Sequence, residues 1–459
     1  MGFVKHWYSD QPAKKKFRLS PTQLIALTFL GIILLGSFLL CLPMASRDGV
    51  SCGFLPALFT ATSATCVTGL SLFDTYTQWS GFGQAVILLM IQIGGLGFMS
   101  AAAVIVFLLR KRVGVKQRMV MSQALNVNDM DSVVKIQKMV LVGSLSLEAV
   151  GALILTLRFW PVYGFGQALI WGVFHSVSAF CNAGFDIFGS LQPGSSLALF
   201  QSDPVVLLTL SALVILGGLG FLVWEEVVRL RALRKCSVYT RLVLIMTAVL
   251  LLGGTLAFLV LEWSNPNTLG NLSFGDKLLG SFFQSVTTRT AGFAAMDQAV
   301  LTDGGKGLSM MLMLVGGASG STAGGVKLVT VVVLLLFLWT RARGRENVTV
   351  FKRSIPGTQA LDAMTLAGIF MLLAFFGAIF ISATSPVSFT DSLYESISAL
   401  ATVGLTAGAT GKLSMAAKIL MIIYMYFGRV GVLTISLGFL MGDRAQERYR
   451  YAQTHLLIG

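Results

Sequence analysis

The stretch Ala61-Thr62-Ser63-Ala64-Thr65-Cys66-Val67-Thr68-Gly69-Leu70 decides the fold, because variants of it occur four times in the chain. Each copy is a run of small and hydroxyl-bearing residues that ends in a glycine followed by an apolar residue. The other copies read Ser178-Ala179-Phe180-Cys181-Asn182-Ala183-Gly184-Phe185, Val286-Thr287-Thr288-Arg289-Thr290-Ala291-Gly292-Phe293 and Ser398-Ala399-Leu400-Ala401-Thr402-Val403-Gly404-Leu405. Four copies, each lying between two hydrophobic segments, indicate one repeated structural device.

The composition around these copies is that of a polytopic membrane protein. Hydrophobic residues make up 55% of the 459 residues and charged residues 12%, whereas a soluble chain carries about a quarter charged residues. The net charge of +14 resides mainly in short loops between apolar segments, which is typical of cytoplasmic loops and not of a nucleic-acid-binding surface. The five cysteines show no metal or disulfide spacing, so we interpret them as packing residues.

Hydropathy predicts four units of the same design. Each unit has a first span, a segment of about half the length that a bilayer requires, and a return segment. The first spans are predicted at about 24–42, 139–157, 242–261 and 363–382. The half-length segments, at about 54–64, 168–180, 276–287 and 390–401, are too short to cross and are interpreted as re-entrant half-helices. The return segments are predicted at about 82–109, 205–228, 308–339 and 415–441.

Charge placement predicts that all four units have the same orientation. Most of the 34 Lys and Arg residues lie before the first span or after the return segment of a unit, for example at Arg110-Lys111-Arg112 and Arg444. Because basic loops stay in the cytoplasm, both termini are expected there. The predicted fold is therefore an all-α polytopic membrane protein with four parallel repeats, eight transmembrane helices and four re-entrant loops around a pseudo-four-fold pore. The expected boundaries are an arm at 1–20 and repeats at 21–112, 113–235, 236–345 and 346–459. Inverted repeats, which are common in rocking transporters, would alternate the basic loops between copies.

The glycine-terminated stretches are predicted to form an ion filter. Four irregular segments around one axis would present backbone carbonyls that replace the hydration shell of a cation such as K+, and glycine permits the required torsions. The alternative is that these glycines only allow close helix packing. We define the filter segments as Val67-Thr68-Gly69, Asn182-Ala183-Gly184, Thr290-Ala291-Gly292 and Thr402-Val403-Gly404.

A second glycine motif recurs in the return segments, and its third copy predicts a gate. The copies read Ile93-Gly94-Gly95-Leu96-Gly97, Leu216-Gly217-Gly218-Leu219-Gly220, Val315-Gly316-Gly317-Ala318-Ser319-Gly320 and Phe427-Gly428-Arg429-Val430-Gly431. In the first two copies the pattern favours helix packing. The third copy opens a ten-residue run without a large side chain, which would be costly as a helix. We predict a broken helix whose loop can plug the pore, and define the gate loop as Gly316, Gly317, Ala318, Ser319, Gly320, Ser321, Thr322, Ala323, Gly324 and Gly325. A simple packing hinge is the alternative.

Charged residues at membrane depth need partners. Arg429 is expected to donate hydrogen bonds to the gate loop, and Lys327 either does the same or reaches toward the cytoplasm. Arg289 is predicted to be a clamp on a loop carboxylate at the outer edge of the third filter segment, or else a charge that weakens cation binding. Glu148 is expected to face protein, with its role open.

Together these features resemble the Trk/Ktr/HKT superfamily of cation transporters, and most closely the membrane subunit of bacterial Ktr potassium uptake systems. The resemblance rests on the filter sequences TCVTGL, FCNAGF, TRTAGF and ATVGLT, on GGASGSTAGGVK and on the arginine in FGRVG. It implies K+ conduction with Na+ stimulation, a homodimer in the bacterial cytoplasmic membrane, and a cytoplasmic ring of nucleotide-binding regulatory subunits. It assigns gating to the gate loop and Arg429, and it implies no covalent cofactor and no nucleotide on this subunit.

Two other classes of function compete with this interpretation. An alternating-access transporter of another cation or solute is disfavoured by the parallel repeats. An enzyme or scaffold is disfavoured because no nucleophile triad, metal cluster or phosphate-binding loop is visible, and His6, His175 and His455 are too scattered for a metal site. The surroundings are expected to be membrane lipid, without nucleic acid.

Overall fold

The computed structural model describes residues 21–97, 133–230, 232–345 and 347–431, and the structural statements below concern these residues. The helices in chain order are α1 (Pro21–Cys41), α2 (Phe54–Thr65), α3 (Thr75–Gln78), α4 (Gly81–Leu96), α5 (Val133–Tyr163), α6 (Phe165–Phe180), α7 (Pro204–Leu219), α8 (Phe221–Leu230), α9 (Val238–Leu261), α10 (Phe274–Thr287), α11 (Asp303–Met313), α12 (Leu328–Ala342), α13 (Gly357–Thr384), α14 (Phe389–Leu400) and α15 (Met415–Val430). Turns of 3-10 helix lie at Pro43–Ala45, Phe188–Ser190, Ala198–Phe200, Leu233–Lys235, Gln298–Val300 and Thr410–Lys412. One antiparallel hairpin pairs Thr349–Val350 with Arg353–Ser354.

Some predicted features lie outside the described residues. They are the N-terminal arm at 1–20, the end of the first return segment with Arg110, Lys111 and Arg112, and the end of the fourth return segment with Arg444 beyond it.

Four long helices in the described part of the chain, α1, α5, α9 and α13, are apolar enough to cross a bilayer. They match the four predicted first spans. Each is followed by one of the half-helices α2, α6, α10 and α14, which have 12 to 16 residues. At 1.5 Å per residue a half-helix is about 18–24 Å long, which is less than the ~30 Å thickness of the hydrocarbon core. The predicted half-length of these helices is therefore confirmed.

A glycine–serine contact joins three half-helices to their long helices. Ser176, Ser285 and Ser396 each donate from Oγ to a backbone carbonyl of the long helix, at 2.6 Å to Glu148, 3.0 Å to Leu251 and 2.9 Å to Ala374. A Cβ at the facing glycine of the long helix, at 151, 254 or 377, would overlap the same serine. The glycines therefore let the half-helices approach closely, and the hydroxyls satisfy polar groups in an apolar environment.

The return segments are less regular than predicted. The second one is not a continuous span, because α7 and α8 meet at an angle of 93° at Gly220, which has a φ of 88°. The first and fourth, predicted to continue to about 109 and 441, have helices that end at Leu96 and Val430, where Gly97 and Gly431 have φ values of 82° and 94°. Only glycine adopts such torsions without strain, so the last glycine of the motif ends the helix.

The first glycine of the motif has the predicted packing role in three copies. A Cβ at Gly94, Gly217 or Gly428 would overlap the carbonyl oxygen of the last half-helix residue of the same unit, which is Thr65, Phe180 or Leu400 respectively. The prediction of packing in the first two copies is thus correct for this glycine and incomplete for the last one. In the third return segment α11 ends at Met313 and α12 begins at Leu328, which confirms the predicted break in the helix.

Candidate ion pathway

The four filter segments contact one another in a closed circuit. A Cβ at Gly69 would lie 2.5 Å from the carbonyl oxygen of Ala183, one at Gly184 would lie 2.6 Å from that of Ala291, and one at Gly292 would lie 2.5 Å from that of Val403. A Cβ at Gly404 would overlap the carbonyl oxygen of Thr68 and so complete the circuit. Four carbonyl oxygens, each from the residue before a filter glycine, therefore lie against the glycine of an adjacent segment.

Each filter segment alternates its backbone torsions in the same way. The first residue of each segment, Val67, Asn182, Thr290 or Thr402, has a φ of 52–65°, and the glycine two positions later has a φ of 68–98°. Three of these first residues are β-branched, for which the left-handed region is strained. Strain of this kind persists only where the surrounding structure imposes it, and it clusters at functional sites.

Hydroxyl groups near the end of each half-helix hold the filter segments. The backbone N–H groups of Gly69 and Gly404 donate to Ser63 Oγ and Ser398 Oγ, both at 3.1 Å. In the other two units the hydroxyl is the donor, from Ser178 to the Phe185 carbonyl at 2.7 Å and from Thr287 to the Phe293 carbonyl at 2.6 Å. These four residues are not among the predicted filter residues, although a hydroxyl group five or six positions before every filter glycine is a visible signal in the sequence.

A cavity of about 590 Å³ lies at the glycine end of the filter segments. All four filter glycines line it, together with the carboxylate-bearing Asp74, Asp186 and Asp297. Burial and the neighbouring Asp74 raise the pKa of Asp186 to about 6. Carboxylates around a concave entrance concentrate cations.

The gate loop lies at the opposite end of the filter segments. A Cβ at Gly324 would overlap Thr402 Oγ1, and one at Gly325 would lie 2.9 Å from the Ala401 carbonyl oxygen. Thr322 Oγ1 donates to the Phe180 carbonyl at 3.1 Å and lies 3.2 Å from the Asn182 side-chain amide. The loop therefore contacts the second and fourth filter segments where they leave their half-helices.

Backbone hydrogen bonds divide the gate loop into a neck, which begins at Gly316 and Gly317, and a tip, which is residues 318–322. In the neck, Gly316 N–H donates to the Val326 carbonyl at 2.9 Å, and Leu328 N–H donates to the Gly317 carbonyl at 3.0 Å. The tip is held by the second return segment and by α9. The contacts are Ala318 N–H to the Gly218 carbonyl at 3.0 Å, Thr322 N–H to the Gly217 carbonyl at 3.2 Å, Phe221 N–H to the Gly320 carbonyl at 2.9 Å and the Tyr239 hydroxyl to the Ser319 carbonyl at 3.0 Å.

Two cationic side chains complete the contacts of the loop. Arg429 donates to the Thr322 carbonyl and to the carbonyls of Gly94 and Gly95, the last at 3.0 Å. Lys327 Nζ donates to the Ala323 carbonyl at 2.7 Å. Arg429 thus joins the fourth unit to the first unit and to the gate loop. The predicted donation by Arg429 is present in the structure, and the gating role assigned to it stays a prediction.

The prediction of a carboxylate clamp at Arg289 is wrong for the described residues. Arg289 is only 8% exposed and lies among Val214, Gly218, Thr247 and Gly317, on the gate-loop side of its filter segment. Its Nε has no hydrogen-bond partner among the described residues. The sequence could not place it because a residue three positions before the glycine lies at the inner end of the segment, away from the acidic cavity.

Glu148 faces protein, as predicted. It is 5% exposed, and Gln92 Nε2 donates to its two carboxylate oxygens at 3.1 and 3.0 Å. This pair joins α5 to α4 two residues before Gly94, the first glycine of the motif.

Comparison with known proteins assigns the chain to a family. Residues 5–448 match the TrkH family, which is described as a cation transport protein. This chain belongs to the TrkH family of cation transport proteins. It is 40% identical over 435 residues to Ktr system potassium uptake protein B of Bacillus subtilis, covering 95% of this chain and 96% of that one. It is 38% identical over 447 residues to the potassium/sodium uptake protein NtpJ of Enterococcus hirae, covering 96% and 98% of the two chains.

A solved structure shares the fold of this transporter. The crystal structure of the potassium transporter TrkH from Vibrio parahaemolyticus superimposes with a TM-score of 0.72, covering 93% of this chain and 86% of that one, at 18% identity. The family membership confirms the resemblance stated from the sequence motifs. It also confirms that the chain is a membrane transporter and not an enzyme.

Proposed function

We propose that this transporter takes up K+ through a channel-like pore whose filter is the circuit of Gly69, Gly184, Gly292 and Gly404. The observation that carries the proposal is the set of four carbonyl oxygens lying against the filter glycines. Oxygen atoms of this kind replace the hydration shell of K+. Thr68 Oγ1 and Thr402 Oγ1 are buried in two filter segments without a partner among the described residues. The names of the two curated relatives above support K+ as the cargo.

The proposed architecture has eight spans and four re-entrant loops in parallel repeats at 21–112, 113–235, 236–345 and 346–459. The recurring order of long helix, half-helix and glycine motif supports it. The acidic cavity is then the external vestibule, and the basic segments around Arg229 and Arg341 face the cytoplasm together with both termini. Oxygen ligands from four copies and an acidic entrance both favour a cation.

The gate loop is proposed to close the pathway on the cytoplasmic side of the filter. Its contacts with Phe180, Asn182 and Thr402 support this position, because they lie at the inner ends of the second and fourth filter segments. Arg429 stabilises the closed arrangement through the Thr322 carbonyl. An opening movement therefore has to break contacts to the second and fourth units.

The proposed partners follow from the resemblance and from the relatives that belong to Ktr systems. The transporter works as a homodimer in the bacterial cytoplasmic membrane, with Na+ stimulating uptake. A cytoplasmic ring of nucleotide-binding subunits docks on the basic segments and controls the gate loop. The nucleotide binds to that ring.

Substitution of Gly404 by serine tests the filter. A Cβ at this position overlaps the Thr68 carbonyl oxygen, and the φ of 94° is strained for any other residue. We expect at least a tenfold weaker apparent K+ affinity, which corresponds to about 1.4 kcal/mol. K+ uptake is measured with purified protein in lipid vesicles.

Gly411→Ser is the matched control, because Gly411 lies in the same unit and a Cβ there meets nothing within 4 Å. Its uptake should equal that of the wild type. If Gly404→Ser folds and takes up K+ with wild-type affinity and selectivity, the filter assignment is wrong.

A further inference from the structure

Arg289 is a buried cation whose hydrogen-bonding capacity is unused in this conformation. Its side chain is 8% exposed, its Nε is buried without a partner, and no described residue accepts a hydrogen bond from its guanidinium. An arginine offers five N–H donors and stays charged in proteins. A cation at membrane depth without a partner is expensive, so such residues usually mark a functional site.

The position of Arg289 is equivalent to three others in the repeat. The residue three positions before each filter glycine is Cys66, Cys181, Arg289 or Ala401. Cys181 lies against Gly95, since a Cβ at that glycine would come within 2.6 Å of its sulfur, and Ala401 lies against Gly325. Arg289 lines a small cavity with Gly218 and Gly317. Each of these three residues therefore meets the return segment of the preceding unit.

Arg429 lies at the corresponding junction between the fourth and first units. It belongs to a return segment, whereas Arg289 belongs to the stretch that ends in a filter glycine. Arg429 takes the place of the second motif glycine, and it donates to the carbonyls of Gly94 and Gly95 in the first unit. The two arginines thus stand at alternate junctions, between units two and three and between units four and one. Arg429 binds the tip of the gate loop, whereas Arg289 lies beside Gly317 in its neck.

The hydrogen bonds of the gate loop indicate which of its contacts would break if the loop moved to open the pathway. The neck is closed on itself by the Gly316–Val326 and Gly317–Leu328 hydrogen bonds, so the tip can move while the neck stays in place. A tip that leaves Arg429 and Phe180 frees carbonyls at membrane depth that have lost their donors and need new ones. The unused donors of Arg289 lie beside the pivot of that movement.

We propose that Arg289 is the open-state partner of the gate loop, receiving tip carbonyls when the loop leaves Arg429. The proposal rests on the gating function proposed above. Arg289 is then a positioning residue, because it acts through the loop and not on the ion. The two arginines bias one loop in opposite directions, so removing Arg289 favours the closed state and removing Arg429 favours the open state.

The test is uptake of K+ by potassium-depleted bacterial cells that express the transporter with its regulatory subunits. Arg289→Gln and Arg289→Lys are compared with the wild type, each with the intact loop and with residues 319–322 deleted. With the intact loop we expect Arg289→Gln to lower the maximal uptake rate at least fivefold. Arg289→Lys should lower it less, because it keeps a charged donor. In the deletion background neither substitution should change uptake by more than about twofold, since the accepting carbonyls are gone.

Other outcomes overturn the proposal. Wild-type uptake by Arg289→Gln with the intact loop shows that the residue has no role in opening. An equal loss in both backgrounds, or a changed K+/Na+ preference, shows that Arg289 acts on the filter. If Arg289→Gln does not reach the membrane, Arg289→Lys decides between the same outcomes. A deletion that fails to raise uptake in the presence of Arg289 instead contradicts the gating function itself, so the two failures are distinguishable.

Discussion

The filter and the gate loop are built on opposite principles. The filter uses four near-equivalent segments, each with the same alternation of torsions, a hydroxyl clamp and a glycine against the next segment. The gate loop occurs once, and it is held from several sides. Phe221, Tyr239 and Arg429 donate hydrogen bonds to its carbonyls, and the Gly217 carbonyl accepts one from Thr322 N–H. Ion coordination needs symmetry around an axis, whereas regulation needs one element with two stable positions.

The same glycine motif produces both behaviours. In three units its first glycine packs against the end of the half-helix, at the carbonyls of Thr65, Phe180 and Leu400. In the third unit a Cβ at Gly316 would instead overlap the Gly324 carbonyl of the gate loop itself. The loop is therefore an insertion of flexible backbone into a packing motif, and the fixed units around it supply its contacts.

Shortening the gate loop should have the largest effect on K+ flux, because it changes the gate loop and leaves the filter intact. Deletion of residues 319–322 removes the tip and its bonds to Phe221, Tyr239 and Arg429 but leaves the neck. Each lost hydrogen bond is worth about 0.5–1.5 kcal/mol, so the loss of three destabilises the closed state by about 1.5–4.5 kcal/mol. We expect K+ flux into vesicles that hold the membrane subunit alone to rise about tenfold or more. Flux at or below the wild-type level from intact protein would show that the loop does not close the pathway.

Arg429→Ala should act in the same direction with a smaller effect. It leaves the carbonyl of Thr322 without its charged donor, which is worth about 1.5 kcal/mol, while the other tip contacts remain. We expect a rise in flux of up to about tenfold in the same vesicle assay. Lys418→Ala, on the same helix α15, serves as the control and should leave flux unchanged. A reduced flux in Arg429→Ala would assign the arginine to the conducting state.

Protonation of a carboxylate in the acidic cavity, which lies at the filter end of the pathway, should have the smallest effect on K+ uptake. Because burial and Asp74 raise the pKa of Asp186 to about 6, this carboxylate is charged above that pH and becomes neutral as pH falls through it. We expect apparent K+ affinity to weaken about twofold between pH 7 and pH 5 on the cavity side, with a midpoint near 6.

Asp186→Asn should abolish this pH dependence in K+ uptake measured at each pH, and its affinity should resemble that of the wild type at pH 5. Asp297→Asn, on the same cavity wall, should keep the midpoint near 6. A midpoint that persists in Asp186→Asn would assign the titration to another group.

The sequence predicted the repeated elements because their signals are local. The length of an apolar segment sets the half-helix, and the run from Gly316 to Gly325 cannot favour a helix, so both features were visible without contacts. The strain at Val67, Thr290 and Thr402 was not visible, because β-branched residues normally avoid positive φ. The contacts among the four filter segments impose it.

The errors concern features that depend on neighbouring units. The bend at Gly220 arises beside the gate loop, whose Gly320 carbonyl accepts from Phe221 N–H, and no local pattern reports that contact. Arg289 was assigned to the acidic side because carboxylates were the evident partners in sequence. Its true surroundings include Gly218 in the return segment of the second unit and Gly317 in the return segment of its own unit.

The central claim is that a fixed filter selects the ion and a separate loop controls its passage. The most direct measurement is the K+/Na+ permeability ratio of the 319–322 deletion variant in vesicles, compared with that of the wild type. The account predicts a higher K+ flux with an unchanged ratio, because the four filter segments keep their contacts with one another. A ratio that falls toward one as flux rises would contradict it, since selection would then depend on the loop.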